Sequence, residues 1–287
     1  QNIDQLRWII YESVNMNNDD IIDDEKNEDL SIAIIGKTNS GKSTIFNLIN
    51  RKKISITGSE PNLTRDSVES IVKMEKLSFK IFDTAGFSNK NKDKINKLST
   101  DQTLKKIRLS KLILMIFDIN NYYEKINSKI INLIYSEYRC LVILVNKIDT
   151  LKGFSEKIIH DHIKELNPQI KDIPVLFVSA RENIGFEHLN RIIEDQIKIW
   201  RTKIKTNELN QWLKNIMIEN PPPLKNGRIV KLKYIAQVNI SPPKFNIFSN
   251  FPDSLNNHYK RFISNKLKKE FNLKGLPIKI FFKKTDN

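Results

Sequence analysis

Residues 36–43 read Gly-Lys-Thr-Asn-Ser-Gly-Lys-Ser, and these eight residues indicate the class of fold. It fits the pattern G-x-x-x-x-G-K-[ST] at every fixed position; the glycines of this pattern let backbone N–H groups surround phosphate oxygens. The apolar run from Ser31 to Ile35 before it predicts a buried strand, and the amphipathic segment from Thr44 to Ile49 after it predicts a helix. We therefore expect a phosphate-binding loop that leads into a helix N-terminus.

Within this loop, Lys42 supplies a point charge and Ser43 offers a hydroxyl group to Mg²⁺. The loop alone predicts a nucleoside triphosphate without specifying the base. The predicted nucleotide-binding residues of this segment are Gly36, Lys37, Thr38, Asn39, Ser40, Gly41, Lys42, Ser43 and Thr44.

Three further polar segments each follow an apolar strand. They are Asp83-Thr84-Ala85-Gly86, Asn146-Lys147-Ile148-Asp149 and Ser179-Ala180. The carboxylate of Asp83 is suited to holding Mg²⁺ through water, and the Gly86 N–H to reaching a γ-phosphate. All four segments, in this order and at the carboxyl ends of strands, predict one shared nucleotide site.

The base is predicted from Asp149. Its carboxylate accepts two hydrogens from the edge of guanine, at N1 and at the exocyclic amine. Adenine lacks this pair of donors, so the site favours GTP over ATP. We expect a backbone N–H at Ser179-Ala180 to meet the guanine carbonyl. The further predicted nucleotide-binding residues are Asp83, Thr84, Ala85, Gly86, Asn146, Lys147, Asp149, Ser179 and Ala180.

The rest of the chain predicts an α/β fold with a second, smaller unit. Residues 31–199 alternate strands and helices, which is typical of a mostly parallel sheet with helices on both faces. Residues 204–287 predict a helix, two strands, a helix and a last strand from Pro277 to Phe282. Their tryptophan and phenylalanines fall on the apolar stripes and are predicted to lie in the core, base-stacking platforms being the alternative. The candidate strands of the first part are 31–35, 68–75, 78–83, 112–118, 140–145 and 174–178, and its candidate helices are 43–50, 93–108, 124–138, 154–166 and 186–199.

Composition limits the class of protein further. The 287 residues are 39% hydrophobic, and the longest apolar runs have six residues, which is too short for a membrane span. The single cysteine, Cys140, excludes an internal disulfide and is predicted to be buried. Residues 199–287 carry 18 basic and 5 acidic residues, a net charge of +13, which favours a polyanionic partner; solvated lysines without a partner are the alternative.

The first 29 residues precede the phosphate loop and have a different character. Residues 1–16 have helical spacing of apolar positions, and residues 17–29 are acidic and predict a linker. Asn2-Ile3 and the helix after it echo Asn183-Ile184 and the helix that follows there, which suggests an internal repeat.

Between about residues 30 and 284 the chain resembles the Der (EngA) family of bacterial double-GTPase ribosome-assembly proteins. Beyond the nucleotide motifs, the resemblance is carried by Thr206-x-x-Leu209-Asn210-x-Trp212, Lys233-Tyr234-x-x-Gln237, Pro243-x-Phe245, Phe248-x-Asn250, Tyr259-x-Arg261-Phe262 and Gly275-x-Pro277-Ile278. The resemblance implies a P-loop GTPase domain at 30–199 and a KH-like domain at 204–287. It also implies that residues 1–16 are the last helix of a preceding GTPase domain, so that the chain is the C-terminal portion of such a protein or a truncated member.

The resemblance also assigns roles to single residues. Lys42, Asn39 and Thr64 are implied in catalysis, and Ser43, Thr64 and Asp83 in binding Mg²⁺. Phe87 stands where Ras-like GTPases have a water-orienting glutamine. Asn39 is implied as a K⁺ ligand, the alternative being that it only hydrogen-bonds its own loop.

Two departures from the family pattern are visible. Asn62-Leu63 replaces the Gly-Thr that usually precedes Thr64 in the first switch, and Ser40 stands where the family usually has Val. We therefore expect slow hydrolysis.

The function implied is a GTP-hydrolysing switch that assists maturation of the large ribosomal subunit, in which residues 52–66 and 86–100 respond to GTP. Its partners are GTP or GDP and the ribosomal precursor, with rRNA and ribosomal proteins, and we expect a monomer in the bacterial cytoplasm. A ribosome- or RNA-binding module with a slow or regulatory GTPase is the second hypothesis, and a relative of tRNA-modification GTPases the third. Residues 199–287 contain only Gly227 and Gly275, so the Gly-x-x-Gly clamp of KH modules is missing.

Overall fold

The computed structural model describes residues 30–51, 68–74, 77–83, 103–225 and 227–285, with only the backbone at positions 51, 68–74, 77–78 and 82–83. The predicted N-terminal helix at 1–16, the linker at 17–29, both predicted switches and most of the helix predicted at 93–108 lie outside these residues. Across the described part of the chain, no helix combines the length and the apolar character that crossing a membrane requires.

The first sheet has six strands, and all but one of them run parallel. Its strands, as far as the chain is described, are β1 (Leu30–Gly36), β2 (Val68–Met74), β3 (Leu77–Asp83), β4 (Leu112–Asp118), β5 (Cys140–Asn146) and β6 (Val175–Phe177). Their order is β2-β3-β1-β4-β5-β6, and of these six only β2 pairs antiparallel to its neighbour, β3. The predicted mostly parallel sheet is therefore confirmed.

Helices cover both faces of this sheet because its central strands are apolar on both sides. On β1, Ile32 and Ile34 belong to one buried cluster, and Ala33 and Ile35 belong to the other. The helices are α1 (Lys42–Arg51), α2 (103–109), α3 (Lys125–Ser136), α4 (Glu156–Leu166) and α5 (Leu189–Trp200). Cys140 is fully buried in β5, as predicted, and burial raises the pKa of its thiol well above the ordinary value.

The C-terminal part has the predicted order of helix, two strands, helix and strand. Strands β7 (Leu232–Asn239) and β8 (Lys244–Ser249) pair antiparallel, and β9 (Lys279–Lys284) pairs parallel to β8. Helices α6 (Thr206–Glu219) and α7 (Asn257–Glu270) belong with this sheet. Ile235, Phe245 and Ile247 are fully buried and share one cluster with the helix residues Trp212 and Ile263. That cluster also contains Trp200 and Ile204, so the buried core continues from the first sheet to the second.

The last strand begins later than predicted. The sequence predicted Pro277 to Phe282, whereas β9 starts at Lys279, whose N–H donates to the Pro243 carbonyl oxygen at 3.0 Å. Pro277 has no N–H to donate, so it contributes no such bond before that point.

Tyr259 gives a stability prediction for the C-terminal part. Its hydroxyl group donates to the Asn220 carbonyl oxygen at 2.9 Å, and burial raises the pKa of Tyr259 to about 12. We expect Tyr259→Phe to lower the free energy of unfolding by about 1 kcal/mol, because the carbonyl loses its partner. Urea denaturation measures this change. Tyr123→Phe, at a 56% exposed tyrosine, is the control, and equal losses in both variants would contradict the assignment.

Candidate functional site

The phosphate loop joins β1 to α1 at the carboxyl edge of the first sheet. β1 ends at Gly36, and α1 begins at Lys42. Two residues between them have left-handed backbone conformations, Asn39 with φ 66° and Gly41 with φ 95°. Asn tolerates this region better than most residues, and Gly adopts it without strain. The loop therefore places Gly41 at a position where its conformational freedom is used.

Close packing requires glycine at two positions of the loop. A Cβ atom on Gly36 would lie 2.5 Å from the Ile116 carbonyl oxygen and 2.9 Å from the Ser40 hydroxyl oxygen. A Cβ atom on Gly41 would collide with the side-chain nitrogen of Asn146. Gly41 of the phosphate loop therefore packs closely against Asn146 of the predicted guanine segment.

The predicted charged and hydroxyl groups are placed as follows. Lys42 is only 6% exposed, and its Nζ donates to the Lys37 carbonyl oxygen at 2.7 Å, so the ammonium group lies across the loop. Ser43 is exposed in the first turn of α1. The backbone of Asp83 ends β3, and its Cα pairs with that of Ile34 on β1. Thr64, Thr84, Ala85, Gly86 and Phe87 lie outside the described residues.

An ion pair connects the phosphate loop to the residue that precedes α3. Lys37 Nζ lies 2.7 Å and 2.8 Å from the two carboxylate oxygens of Glu124, which directly precedes α3. Both side chains are partly buried, at 32% and 26% exposure. Because the carbonyl of the same Lys37 accepts the bond from Lys42, Glu124 helps to position the phosphate loop.

We expect Glu124→Gln to weaken GTP affinity about threefold to fivefold, since a partly exposed ion pair contributes up to about 1 kcal/mol. Equilibrium titration with a fluorescent GTP analogue measures the change. The matched control is Glu137→Gln, which removes the exposed pair with Arg108 at the other end of α3. Equal affinities for Glu124→Gln and the unaltered chain would contradict the positioning role.

Asn146 joins the phosphate loop to the two predicted base-recognition segments. It is 2% exposed, and its Nδ2 donates to the Ser40 carbonyl oxygen at 2.9 Å. Its Oδ1 accepts a hydrogen bond from the Ala180 N–H at 3.0 Å. The Ala180 N–H is thus engaged by Asn146 here, and its predicted bond to the guanine carbonyl stays a prediction.

Lys147 follows with a left-handed φ of 68°, and its Nζ pairs with Asp118 Oδ2 at 2.8 Å. Burial acts to raise the pKa of Asp118, but hydrogen bonds from Lys147 and Asn120 outweigh it and hold that pKa below its ordinary value. Asp118 is therefore a carboxylate at neutral pH and fixes the direction of the Lys147 side chain.

Asp149 is exposed at the edge of the same site. One of its carboxylate oxygens accepts a hydrogen bond from the Ser179 hydroxyl group at 2.6 Å. Ser179 is fully buried, and its hydroxyl oxygen accepts from the Glu182 N–H at 3.1 Å. The carboxylate predicted to recognise guanine is thus oriented by the segment predicted to meet the guanine carbonyl.

The sequence did not single out Asp118, Asn120 or Glu124. Asp118 carried a usable signal, because it is a polar residue that directly ends an apolar strand, as Asp83 and Asn146 are. Glu124 carried none, since its partner Lys37 lies 87 positions away in the chain.

A phosphate loop tied through one buried asparagine to an Asp-Ser pair defines a P-loop domain of the guanine-nucleotide-binding class. Residues 31–147 match the family model described as "50S ribosome-binding GTPase". Residues 203–283 match the one described as "KH-domain-like of EngA bacterial GTPase enzymes, C-terminal".

The chain belongs to the Der (EngA) family of GTPases. It is 32% identical over 289 residues to GTPase Der of Nitrobacter winogradskyi, covering 99% of this chain and 64% of that protein. It is 33% identical over 267 residues to GTPase Der of Rhizobium meliloti, covering 92% of this chain and 56% of that protein. The chain thus spans somewhat less than two thirds of the length of these relatives.

Solved structures with similar folds are more distant. A point variant of Aquifex aeolicus Era bound to GDP·AlF4⁻ aligns with a TM-score of 0.46 and 18% identity, over 90% of this chain and 94% of that one. The G domain of the T. maritima FeoB iron transporter aligns with a TM-score of 0.43 and 20% identity, over 59% and 99%.

Proposed function

We propose that this chain binds and hydrolyses GTP and acts as a switch in maturation of the large ribosomal subunit. The observation that carries the proposal is Asn146, which bonds both the Ser40 carbonyl of the phosphate loop and the Ala180 N–H beside the Asp149–Ser179 pair. A ligand that spans this connection has phosphates at one end and a guanine edge at the other.

The reaction is in-line attack of water on the γ-phosphate. Lys42 and the N–H groups of the loop offset charge on the phosphate oxygens. Ser43, Asp83 and Thr64 are the residues proposed to hold Mg²⁺; Ser43 is exposed in the first turn of α1, and Mg²⁺ is usually bound through oxygen ligands, only one or two of them from protein. Bound Mg²⁺ supplies neutralisation of the charge on the β- and γ-phosphates.

Asn39 is the residue proposed to hold K⁺. It is exposed, has a φ of 66°, and forms no side-chain hydrogen bond with any other described residue of its loop. Its exposed position in the phosphate loop supports the ion-ligand role.

The C-terminal part, proposed as a separate KH-like domain at 204–287 after a GTPase domain at 30–199, is the part proposed to contact the ribosomal precursor. Support comes from the net charge of +13 over residues 199–287. The family description that names the 50S ribosome matches residues 31–147, and it supports a ribosomal partner for the chain as a whole. We propose that the chain works as a monomer in the bacterial cytoplasm.

Sedimentation with large ribosomal subunits tests this function. We expect the chain to sediment with them in the presence of a non-hydrolysable GTP analogue and to dissociate from them with GDP. We also expect its affinity for the subunits to fall steeply as the salt concentration rises. An affinity for the subunits that depends neither on the bound nucleotide nor on the salt concentration would contradict the proposal.

The second candidate is a ribosome- or RNA-binding module whose GTPase is slow or regulatory. Asn62-Leu63, in place of the family's Gly-Thr before Thr64, favours it. Nucleotide-independent sedimentation together with negligible phosphate release would support this candidate. A tRNA-modification GTPase is disfavoured by the KH-like match over residues 203–283.

A further inference from the structure

The second sheet has an outer face that is opposite its buried face. In the register of the three strands, Tyr234 of β7 lies beside Phe248 of β8, and Phe248 lies beside Lys283 of β9. In the next row, Asn246 lies beside Phe281. Neighbouring residues in adjacent strands share a face, so these side chains lie on the face away from the buried Ile235 and Ile247.

Aromatic rings form part of this outer face. The rings of Tyr234 and Phe248 stack with centroids 4.2 Å apart and an interplanar angle of 13°. Phe281 is 40% exposed, although its chain neighbour Phe282 packs against the core. Diagonal neighbours in a sheet lie about 7–8 Å apart, so Phe281 and Phe248 are within reach of adjacent unstacked bases.

The same strands are strongly basic. β7 contains one lysine, β8 one and β9 three, giving five lysines and no acidic residue. Lys279 Nζ lies 4.8 Å from the centroid of the Phe281 ring, and Lys283 is exposed. A surface that combines one exposed ring, Phe281, and the half-buried ring of Phe248 with lysines suits a strand of bases linked by phosphates, since bases stack on rings and phosphates pair with ammonium groups.

We infer that the outer face of the second sheet binds unpaired, single-stranded RNA through Phe281, Phe248 and Lys283. The inference deepens the proposed ribosomal function and rests on it. The missing Gly-x-x-Gly clamp is the second reason, because RNA binding by this part then requires a different surface. Double-stranded RNA hides its bases, so rings on the protein add little to its binding.

The test is fluorescence anisotropy of the full 287-residue chain with a labelled single-stranded RNA of mixed sequence, at low and moderate salt. Phe281→Ala is expected to weaken binding about tenfold through loss of stacking. Lys283→Glu is expected to weaken it at least tenfold and to reduce its salt dependence.

Two controls match these changes. Lys214→Glu alters charge equally on the exposed side of α6, a helix whose opposite side packs on the buried face of the sheet. Leu224→Ala removes a 64% exposed apolar side chain outside the three strands. Both are expected to bind RNA within twofold of the unaltered chain.

Several outcomes would overturn the inference. The first is that Phe281→Ala binds RNA as tightly as the unaltered chain, and the second is that Lys214→Glu loses as much RNA affinity as Lys283→Glu. The third is that the unaltered chain binds a duplex of the same sequence as tightly as the single strand. Variants that keep their RNA affinity but lose binding to RNA-free ribosomal protein would assign this face to a protein partner instead. GTP hydrolysis measured on the same samples distinguishes a failure of the proposed GTPase function from a failure of the proposed RNA-binding face, because hydrolysis does not depend on that face.

Discussion

Asp149→Asn is expected to weaken GTP binding by about two to three orders of magnitude and to create affinity for xanthosine triphosphate. The carboxylate accepts from both N–H groups of the guanine edge, and a hydrogen bond to a charged group contributes about 1.5–3 kcal/mol. An asparagine turns one acceptor into a donor, which then faces the guanine amine unfavourably. Xanthine has a carbonyl at that place, so the same donor finds a partner. Competition against a fluorescent guanine nucleotide measures both affinities.

The structure sharpens this expectation because Asp149 is held by the buried Ser179 at 2.6 Å, so its replacement keeps a defined orientation. Asp161→Asn, at a 64% exposed side chain of α4, is the control and should leave both affinities unchanged. A GTP affinity that survives Asp149→Asn, or a loss for GTP without any gain for xanthosine triphosphate, would contradict guanine recognition by this residue.

Gly41→Ala is expected to weaken nucleotide binding by more than about a hundredfold. The added Cβ atom meets the side-chain nitrogen of Asn146, and the φ of 95° is unfavourable for any residue with a Cβ. Either the loop shifts away from the phosphates or Asn146 loses its bond to Ser40, and both outcomes disrupt the site. Titration with labelled GDP, together with a thermal melt to check folding, measures the effect.

Gly153→Ala is the matched control, because Gly153 also has a positive φ, of 70°, but a Cβ there meets no atom within 4 Å. That variant should carry the backbone strain and leave nucleotide affinity intact. If Gly41→Ala binds within about threefold of the unaltered chain, Asn146 does not hold the loop in the way described.

Features that depend on residues close together in the chain could be predicted from the sequence. The phosphate loop is one continuous stretch. The positions of the apolar runs predicted the first and last residues of all six strands of the first sheet to within one or two residues. The carboxyl-edge rule then placed Gly36, Asp83, Asn146 and Ser179 near each other without any knowledge of side-chain positions.

Contacts between distant positions could not be predicted. The Lys37–Glu124 pair spans 87 residues, and the Asn146–Ser40 bond spans 106. Periodicity gives the face on which a side chain lies, but it does not give the partner that tertiary packing brings to it. The predicted aromatic core was right for Trp212 and Phe245. It was wrong for Phe281, because the consecutive Phe281 and Phe282 of a strand must lie on opposite faces.

Phosphate release from GTP by this chain with Mg²⁺, measured in potassium and in sodium buffer with Lys42→Ala as the blank, tests the GTPase assignment. We expect release well above the blank, faster in potassium than in sodium, and none from ATP. Release from GTP that does not exceed the Lys42→Ala blank in either buffer would contradict the GTPase assignment.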